Sequence, residues 1–561
     1  MYARYKNQLL NQTYFTPAIL LTDSYKLSHR DMYAEGMEVL FSTWTPRSDK
    51  IALMAERQLP LQKSEVVFFG LSMAITKLCR EFNAWFARDT DEATNEYTVF
   101  VKRFLKQDVT GDHIRELHEY GSLPLIIYAL PEGTVTKPGV CQMVIFNKEG
   151  EKFAWLTNYV ESLLSDLLWK MPTSATIARN YYTLAYHFAE LTCDPVNGEY
   201  PHLNWQMHDF SFRGMSCPED AESSALGHLL FFGGTDTIPA LFAAEAVYSD
   251  FDMGDYGSVP ASEHSVGCST QAAILQGLTA DGVYKDKTAQ QWLDSFDDFK
   301  EGVPLNIKQI AELISISEVL DKYPDGILSW VSDTWDFWFV LTQLLPRLKT
   351  KIMARNGKLV IRPDSGDPVK IINGDPEAPF DTPAYWGAIR LLGRTFGTTV
   401  NRKGFRELDS HIGLIYGDSI TLTRAEAIFR GLARNEYASS NVVLGIGSYT
   451  YQATTRDVFG YAMKATAMTF DGVEIPLFKD PVTDDGTKKS FKGFLTTRLI
   501  DGEYKTIDGL SFEEARDLNN SAFVQYPLDV QALTLAGLNH WPTIQARLRA
   551  GVVGYQLKQA A

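Results

Sequence analysis

Several short apolar runs in this sequence end in residues able to handle a charged, hydroxylated ligand. LNWQMHDF leads to Arg213, HLLFFGGTD ends at Asp236, DGILSWVSD ends at Asp333, and KLVIRPD delivers Arg362 and Asp364. SHIGLIYGD ends in Gly417-Asp418 and NVVLGIGS in Gly447-Ser448. Guanidinium groups bind phosphate bidentately, carboxylates accept from ribose hydroxyls or hold Mg2+, and glycine amides approach a phosphate closely. Any one of these residues alone reads more readily as a solvated turn. Their recurrence at successive tips points to one site for a substrate carrying phosphates and hydroxyls.

GSVPASEHS (257–265) adds Glu263 and His264 in a loop flanked by small residues. An imidazole there suits phosphate acceptance or acid–base work, because it titrates near neutrality and a carboxylate can fix its tautomer. Adjacent residues do not point the same way, so a contact between Glu263 and His264 requires loop geometry. Other signals are weaker. GIGS (445–448) also suits a tight strand-to-helix turn, Tyr25 and Phe210 are core aromatics by default, and the lysines of DDGTKKSFKG (484–493) read as a charged loop.

The tips need elements to carry them. From about 200 to 450 the sequence repeats an apolar run, a polar or glycine-marked tip and an amphipathic stretch, with helices expected over 239–248, 334–348, 383–396 and 423–433. That is the pattern of βα units, whose parallel strands must be covered by crossover helices. An open doubly wound sheet and a closed barrel both satisfy it. The barrel is favoured because polar tips follow nearly every strand, and only a barrel gathers all strand ends at one mouth. Residues 1–195 read as mixed helices and short strands, as in SLPLIIYALPEGTVTKPG, and the tail over 455–561 adds further β-like pieces. We expect an α+β domain built from both chain ends flanking a 200–450 α/β barrel.

Composition narrows the class. At 561 residues, 45% hydrophobic and 22% charged, the chain has the make-up of a globular, enzyme-sized protein. A formal charge of −16 argues against nonspecific nucleic-acid binding, which needs a basic face. An anionic ligand therefore needs a local basic pocket. The five scattered cysteines form no CxxC pair, which suits a reducing cytosol and indicates neither a disulfide framework nor a zinc site. The apolar run 18–21 is too short for a signal-peptide core, and no stretch approaches the ~18 apolar residues of a membrane span. A cytoplasmic protein is the expectation.

The segments TDSYK (22–26), HDFSFRG (208–214), GTDT (234–237), SVPASEHS (258–265), VSDTWD (331–336), IRPDSGDP (361–368), YGDS (416–419), TTRD (454–457) and FKDPV (478–482) together resemble the nicotinamide phosphoribosyltransferase family, over about residues 22 to 495. The resemblance implies a type II phosphoribosyltransferase fold, an irregular α/β barrel with an α+β domain, working as a homodimer with shared active sites. It implies condensation of nicotinamide with 5-phosphoribosyl 1-pyrophosphate to nicotinamide mononucleotide and pyrophosphate in NAD salvage, with Mg2+.

By the same resemblance Phe210 and Tyr25 sandwich the pyridine ring, Tyr25 arriving from the partner subunit, with Ser258 and Val259 beside it. Asp236 accepts the carboxamide N–H, which attracts an amide and repels the carboxylate of nicotinate. Arg213 lies nearest the ring and Arg362 nearest the pyrophosphate. Asp364 and Asp418 take ribose hydroxyls and Mg2+, with Ser332 and Asp336 in the same pocket. The nucleotide phosphate rests on Gly447-Ser448, with Arg456 from across the dimer, and Arg47, Lys464, Lys479 and Lys488 add positive charge. His264 resembles the family histidine that ATP phosphorylates, coupling ATP hydrolysis to synthesis. Ile446 and Ser448 stand where the family usually has a serine and a glycine.

Three other readings compete. Nicotinate phosphoribosyltransferase shares the fold and donor, and Asp236 discriminates against it. A barrel that binds partners without catalysis would not keep its charged tips. A sugar-phosphate lyase or aldolase would want a Schiff-base lysine at a strand tip, and none is there.

Overall fold

The computed structural model describes residues 15–59, 64–296, 299, 302–417, 419–479, 491–550 and 552. Asp418 and Lys488, both named above, lie outside the described residues. The apolar runs of the middle region form six parallel strands, in the order Gly234–Thr235, Met207–Phe210, Val442–Gly447, Ile412–Tyr416, Asn356–Arg362 and Asp325–Val331. Ile412–Tyr416 is buried along its whole length, as expected of a strand covered on both faces.

The two edges of this sheet are joined by the segment 257–262. Gly257 bridges in parallel to Gly234, and Ala261 bridges to Ser329. Gly257 N–H donates to the Gly233 carbonyl (2.9 Å), and at the other end Ser329 N–H donates to the Pro260 carbonyl (2.9 Å). The sheet therefore curls until one irregular segment spans its gap. That agrees with the irregular barrel expected, and it brings the strand C-termini to a common mouth.

Crossover helices follow most tips. Ile238–Val247 and Leu422–Arg434 lie within a residue of the expected stretches, the second capped by the Thr421 side chain accepting from Arg424 N–H. The stretch 334–348 is instead three short helical pieces, Phe337–Phe339, Val340–Leu344 and Leu345–Arg347, and 383–396 breaks at Gly387, which has φ +77°. There a Cβ would sit 2.2 Å from the Gly374 nitrogen, so the close approach of two backbones requires glycine.

Two expectations need correction. HLLFF is not a strand: helix Pro218–Leu229 runs into it, and only Gly234–Thr235 is extended. A short buried apolar run does not distinguish strand from helix, and Pro218 with Glu219 and Asp220 supplies a helix start. His264 is also not in a loop, because it opens helix His264–Gln276 with Glu263 at the N-cap.

Strands from both chain ends make a separate antiparallel sheet, in the order Val473–Pro476, Tyr461–Phe470, Met37–Pro46, Met143–Asn147, Leu125–Ala129 and Val524–Tyr526. Its longest pairing runs from Met37 opposite Phe470 to Pro46 opposite Tyr461. Among the described residues no helix is long and apolar enough to cross a membrane.

Candidate active site

At the mouth of the parallel sheet lies a cavity of about 740 Å³. Its walls include Phe210, Arg213, Asp236, Glu263, His264, Arg362, Asp364, Gly417, Gly447 and Ser448, all expected from the sequence, together with Phe212 and Ser265.

The floor is an aromatic ring laid over glycines. A Cβ on Gly445 would come within 2.4 Å of the Phe210 ring, and one on Gly417 within 3.1 Å. Side chains at those two positions would displace the ring, so Gly445 and Gly417 serve ring placement. Gly214 makes a similar approach to Ser448, where a Cβ would overlap the hydroxyl at 2.2 Å. The turn that bears Arg213 is thereby pressed against the Gly447-Ser448 turn, which opens the short helix Ser448–Gln452.

Asp236 stands at one side of the ring. Its Oδ1 accepts from His208 Nε2 at 3.0 Å and from the Ser258 hydroxyl at 2.5 Å. No described residue is seen to donate to Oδ2. Burial alone would push this carboxyl up, but the His208 and Ser258 hydrogen bonds and the positive charge of Arg362 outweigh it, and the group is held below the ordinary carboxylate range.

Across the mouth, strand Asn356–Arg362 ends by placing Arg362 Nε 3.5 Å from Asp364 Oδ1. Asp333 anchors the turn at Asp364 and Ser365: its Oδ2 accepts from Asp364 N–H (3.0 Å) and the Ser365 hydroxyl (2.6 Å), and its Oδ1 lies 3.3 Å from His264 Nε2. The carboxylate beside the imidazole is thus Asp333 and not Glu263, whose side chain accepts from the Ser265 hydroxyl. Asp367 caps helix Pro368–Asn373 by accepting from Val369 N–H (2.9 Å).

Two guanidinium groups, three carboxylates and an imidazole around an aromatic floor suit a flat ring joined to a phosphorylated sugar. Residues 205–508 match the family model described as the nicotinate phosphoribosyltransferase (NAPRTase) family, more than half of the chain. The chain belongs to that family. It is 44% identical over 502 residues to the nicotinamide phosphoribosyltransferase of Acinetobacter baylyi, covering 88% of this chain and 90% of that one. It is 32% identical over 498 residues to the nicotinamide phosphoribosyltransferase of Mycoplasma pneumoniae, covering 85% and 94%. The crystal structure of human nicotinic acid phosphoribosyltransferase shares the fold, with a TM-score of 0.50 at 14% identity over 95% of this chain and 93% of that one.

Not every expected residue of this family member meets at the cavity. Ser332 is fully buried with its hydroxyl donating to the Trp330 carbonyl (2.9 Å), and Asp336 caps the next helical piece through Phe339 N–H (3.0 Å). Val259 is half-buried in the bridging segment. Tyr25 is 58% exposed and lies near enough to Arg456 for that charge to act on its phenol. Arg47 Nε donates to the Gly460 carbonyl (2.8 Å), Lys464 lies opposite Thr43 in the antiparallel sheet, and Lys479 is exposed. None of these lines the cavity.

His208 escapes the sequence reading, as do the cavity-lining Phe212 and Ser265. His208 stands two before Phe210 on a strand, so both share a face, while Asp209 between them is buried in the core. That spacing was the available signal.

Proposed function

We propose that this phosphoribosyltransferase takes nicotinamide as its pyridine substrate, forming nicotinamide mononucleotide and pyrophosphate from 5-phosphoribosyl 1-pyrophosphate. The observation that carries the reading is Asp236, a carboxylate held ionised beside Phe210 with one oxygen saturated. Such a group accepts from a carboxamide and repels a carboxylate. The 44% identity to a protein named for that activity supports the same substrate.

In this reading the pyridine ring lies on Phe210 and its amide donates to Asp236. Bond breaking at the ribose C1 passes through an oxocarbenium-like state as pyrophosphate leaves, so the site works by positioning and charge. Arg362 and Arg213 neutralise phosphate, Asp364 accepts from ribose hydroxyls, and Gly447-Ser448 receives the nucleotide phosphate. Tyr25 and Arg456, close to each other and outside this chain's cavity, would complete the site of a second copy in a homodimer. Arg47, Lys464 and Lys479 would add charge around the pyrophosphate, the role also expected of Lys488, which lies outside the described residues.

Among the described residues no three His, Cys, Asp or Glu form a cage for a metal. Mg2+ does not require one, since it binds through one or two carboxylates together with substrate phosphates and water. Asp364 fits that donor set and would hold it, and Asp418, expected beside it from the sequence, lies outside the described residues. When bound, the ion offsets the charge that develops on pyrophosphate.

His264 extends the reading to ATP. The 3.3 Å contact of Nε2 with Asp333 Oδ1 is an ion-pair distance without hydrogen-bond geometry, and an imidazole carrying its hydrogen on Nε2 would keep the Nδ1 lone pair. Nδ1 would attack the γ-phosphorus of ATP, breaking the bond to the bridging oxygen and releasing ADP.

The test is mononucleotide formation with nicotinamide or nicotinate, each with and without ATP. Faster turnover of nicotinamide is expected. A clear preference for nicotinate would overturn the reading.

A further inference from the structure

We propose that His208 is the positioning residue for pyridine selectivity: by occupying Oδ1 of Asp236 it turns Oδ2 toward the substrate and fixes the carboxylate as an acceptor. The inference rests on the pyridine transfer proposed above.

Three observations support it. First, Oδ1 already receives two donors, His208 Nε2 at 3.0 Å and the Ser258 hydroxyl at 2.5 Å, while no described residue is seen to donate to Oδ2. A carboxylate oxygen with both lone pairs engaged leaves its twin to meet a ligand. Second, the imidazole is itself held. His208 is 8% exposed, its ring centroid lies 4.8 Å from that of Phe210, and a Cβ on Gly234 of the neighbouring strand would come within 2.7 Å of Nδ1. The missing side chain at Gly234 makes the space in which the imidazole stands. Third, the Asp236 backbone is tied to the same strand, its N–H donating to the Asp209 carbonyl at 2.9 Å. One strand, Met207–Phe210, thus carries the ring floor, the imidazole and the backbone anchor of the selecting carboxylate.

Nε2 faces an acceptor, so it carries hydrogen whether the ring is neutral or cationic. His208 acts through Asp236 and does not touch substrate. Its loss should therefore weaken pyridine binding more than turnover.

The experiment measures kcat and KM for nicotinamide and for nicotinate in wild type and three variants. H208F keeps a planar ring and H208L a smaller volume, so failure of one to fold leaves the other; both remove the donor. H208Q can place an amide nitrogen where Nε2 stands. For the donor-less variants we expect KM for nicotinamide to rise about tenfold with kcat changed less than about threefold, and the kcat/KM ratio of nicotinamide over nicotinate to fall about tenfold. H208Q should recover most of both. An unchanged ratio in the donor-less variants, or an H208Q no better than they are, overturns the role of His208. Wild type that prefers nicotinate overturns the functional reading with it, whereas wild type that prefers nicotinamide alongside unaffected variants overturns this inference alone.

Discussion

The mouth of the barrel holds two histidine–carboxylate pairs, His208 with Asp236 and His264 with Asp333, and they are built in opposite senses. In the first the imidazole is withdrawn and the carboxylate faces out, with side-chain exposures of 10% and 46%. In the second the carboxylate is withdrawn, at 6%, and the imidazole faces out, at 46%. In each pair the exposed member is the one offered to a ligand, and the buried member holds it from behind. One pair presents an acceptor suited to an amide, the other a nitrogen suited to a phosphoryl group.

The largest expected effect comes from reversing the first pair. In Asp236→Asn the carbonyl oxygen can keep the His208 and Ser258 donors, which leaves the amide NH2 facing the cavity. The site then offers a donor where it offered an acceptor. We expect kcat/KM for nicotinamide to fall about a hundredfold and that for nicotinate to rise about tenfold, a shift in the ratio of ~4 kcal/mol. Steady-state kinetics with both pyridines measures it, and an unchanged ratio would remove Asp236 from selection.

A third carboxyl sharpens the comparison because it has no histidine. Glu312, on helix Ile307–Lys322, is 2% exposed, and its Oε1 has no hydrogen-bond partner among the described residues. Burial pushes this carboxyl up to about 7, with the negative charge of Asp336 adding to it. A carboxyl raised in the folded state binds its proton more tightly there than in the unfolded chain. Its stabilising share is therefore full below the ordinary value of 4.5 and is lost as pH rises through about 7. Glu312→Gln should remove that slope, gaining up to ~3 kcal/mol at pH 8 and almost nothing at pH 4. Denaturant unfolding at the two pH values checks this; equal gains at both would mean that Glu312 does not titrate in that window.

The strand-tip residues are legible in sequence because a parallel strand needs a continuous apolar run, and whatever ends the run must stand at the mouth. Arg362 and Asp364 are found in this way. The partners are harder to see. Asp333 is recognisable as a tip, yet its contact with His264 depends on the 257–262 segment closing the sheet, and no local pattern announces two isolated bridges. In sequence Gly445 reads as part of a tight strand-to-helix turn, because the ring that excludes a side chain there comes from another strand. Tyr25 and Arg456 are legible only by resemblance, since neither reaches the cavity of its own chain.

Asp333 tests whether the second pair is one unit or two. Its Oδ2 holds the Asp364 and Ser365 donors while its Oδ1 faces His264. Asp333→Asn removes the charge and puts an amide NH2 where one carboxylate oxygen stood, toward either His264 or the Asp364 and Ser365 donors, and a donor left facing a donor costs about 1–3 kcal/mol. Basal synthesis and ATP stimulation should fall together, by about tenfold, with a lower denaturation midpoint. Loss of ATP stimulation alone would show that the Asp364 turn does not depend on Asp333.

The smallest effect is expected from the exposed member of that pair. His264 reaches Asp333 through a 3.3 Å contact from the first residue of its helix, and no further hydrogen bond, ion pair or ring contact of its imidazole is seen among the described residues. His264→Ala therefore leaves the Asp364 turn in place, because Asp333 Oδ2 keeps both of its donors. Basal synthesis should fall less than about threefold, ~0.7 kcal/mol, while the increment produced by ATP disappears. The contrast with Asp333→Asn is the point of the measurement. If His264→Ala lowers basal synthesis as far as Asp333→Asn does, the imidazole serves the transfer itself. If ATP still accelerates the variant, another group accepts the phosphoryl, and the opposite orientation of the two pairs has a different cause.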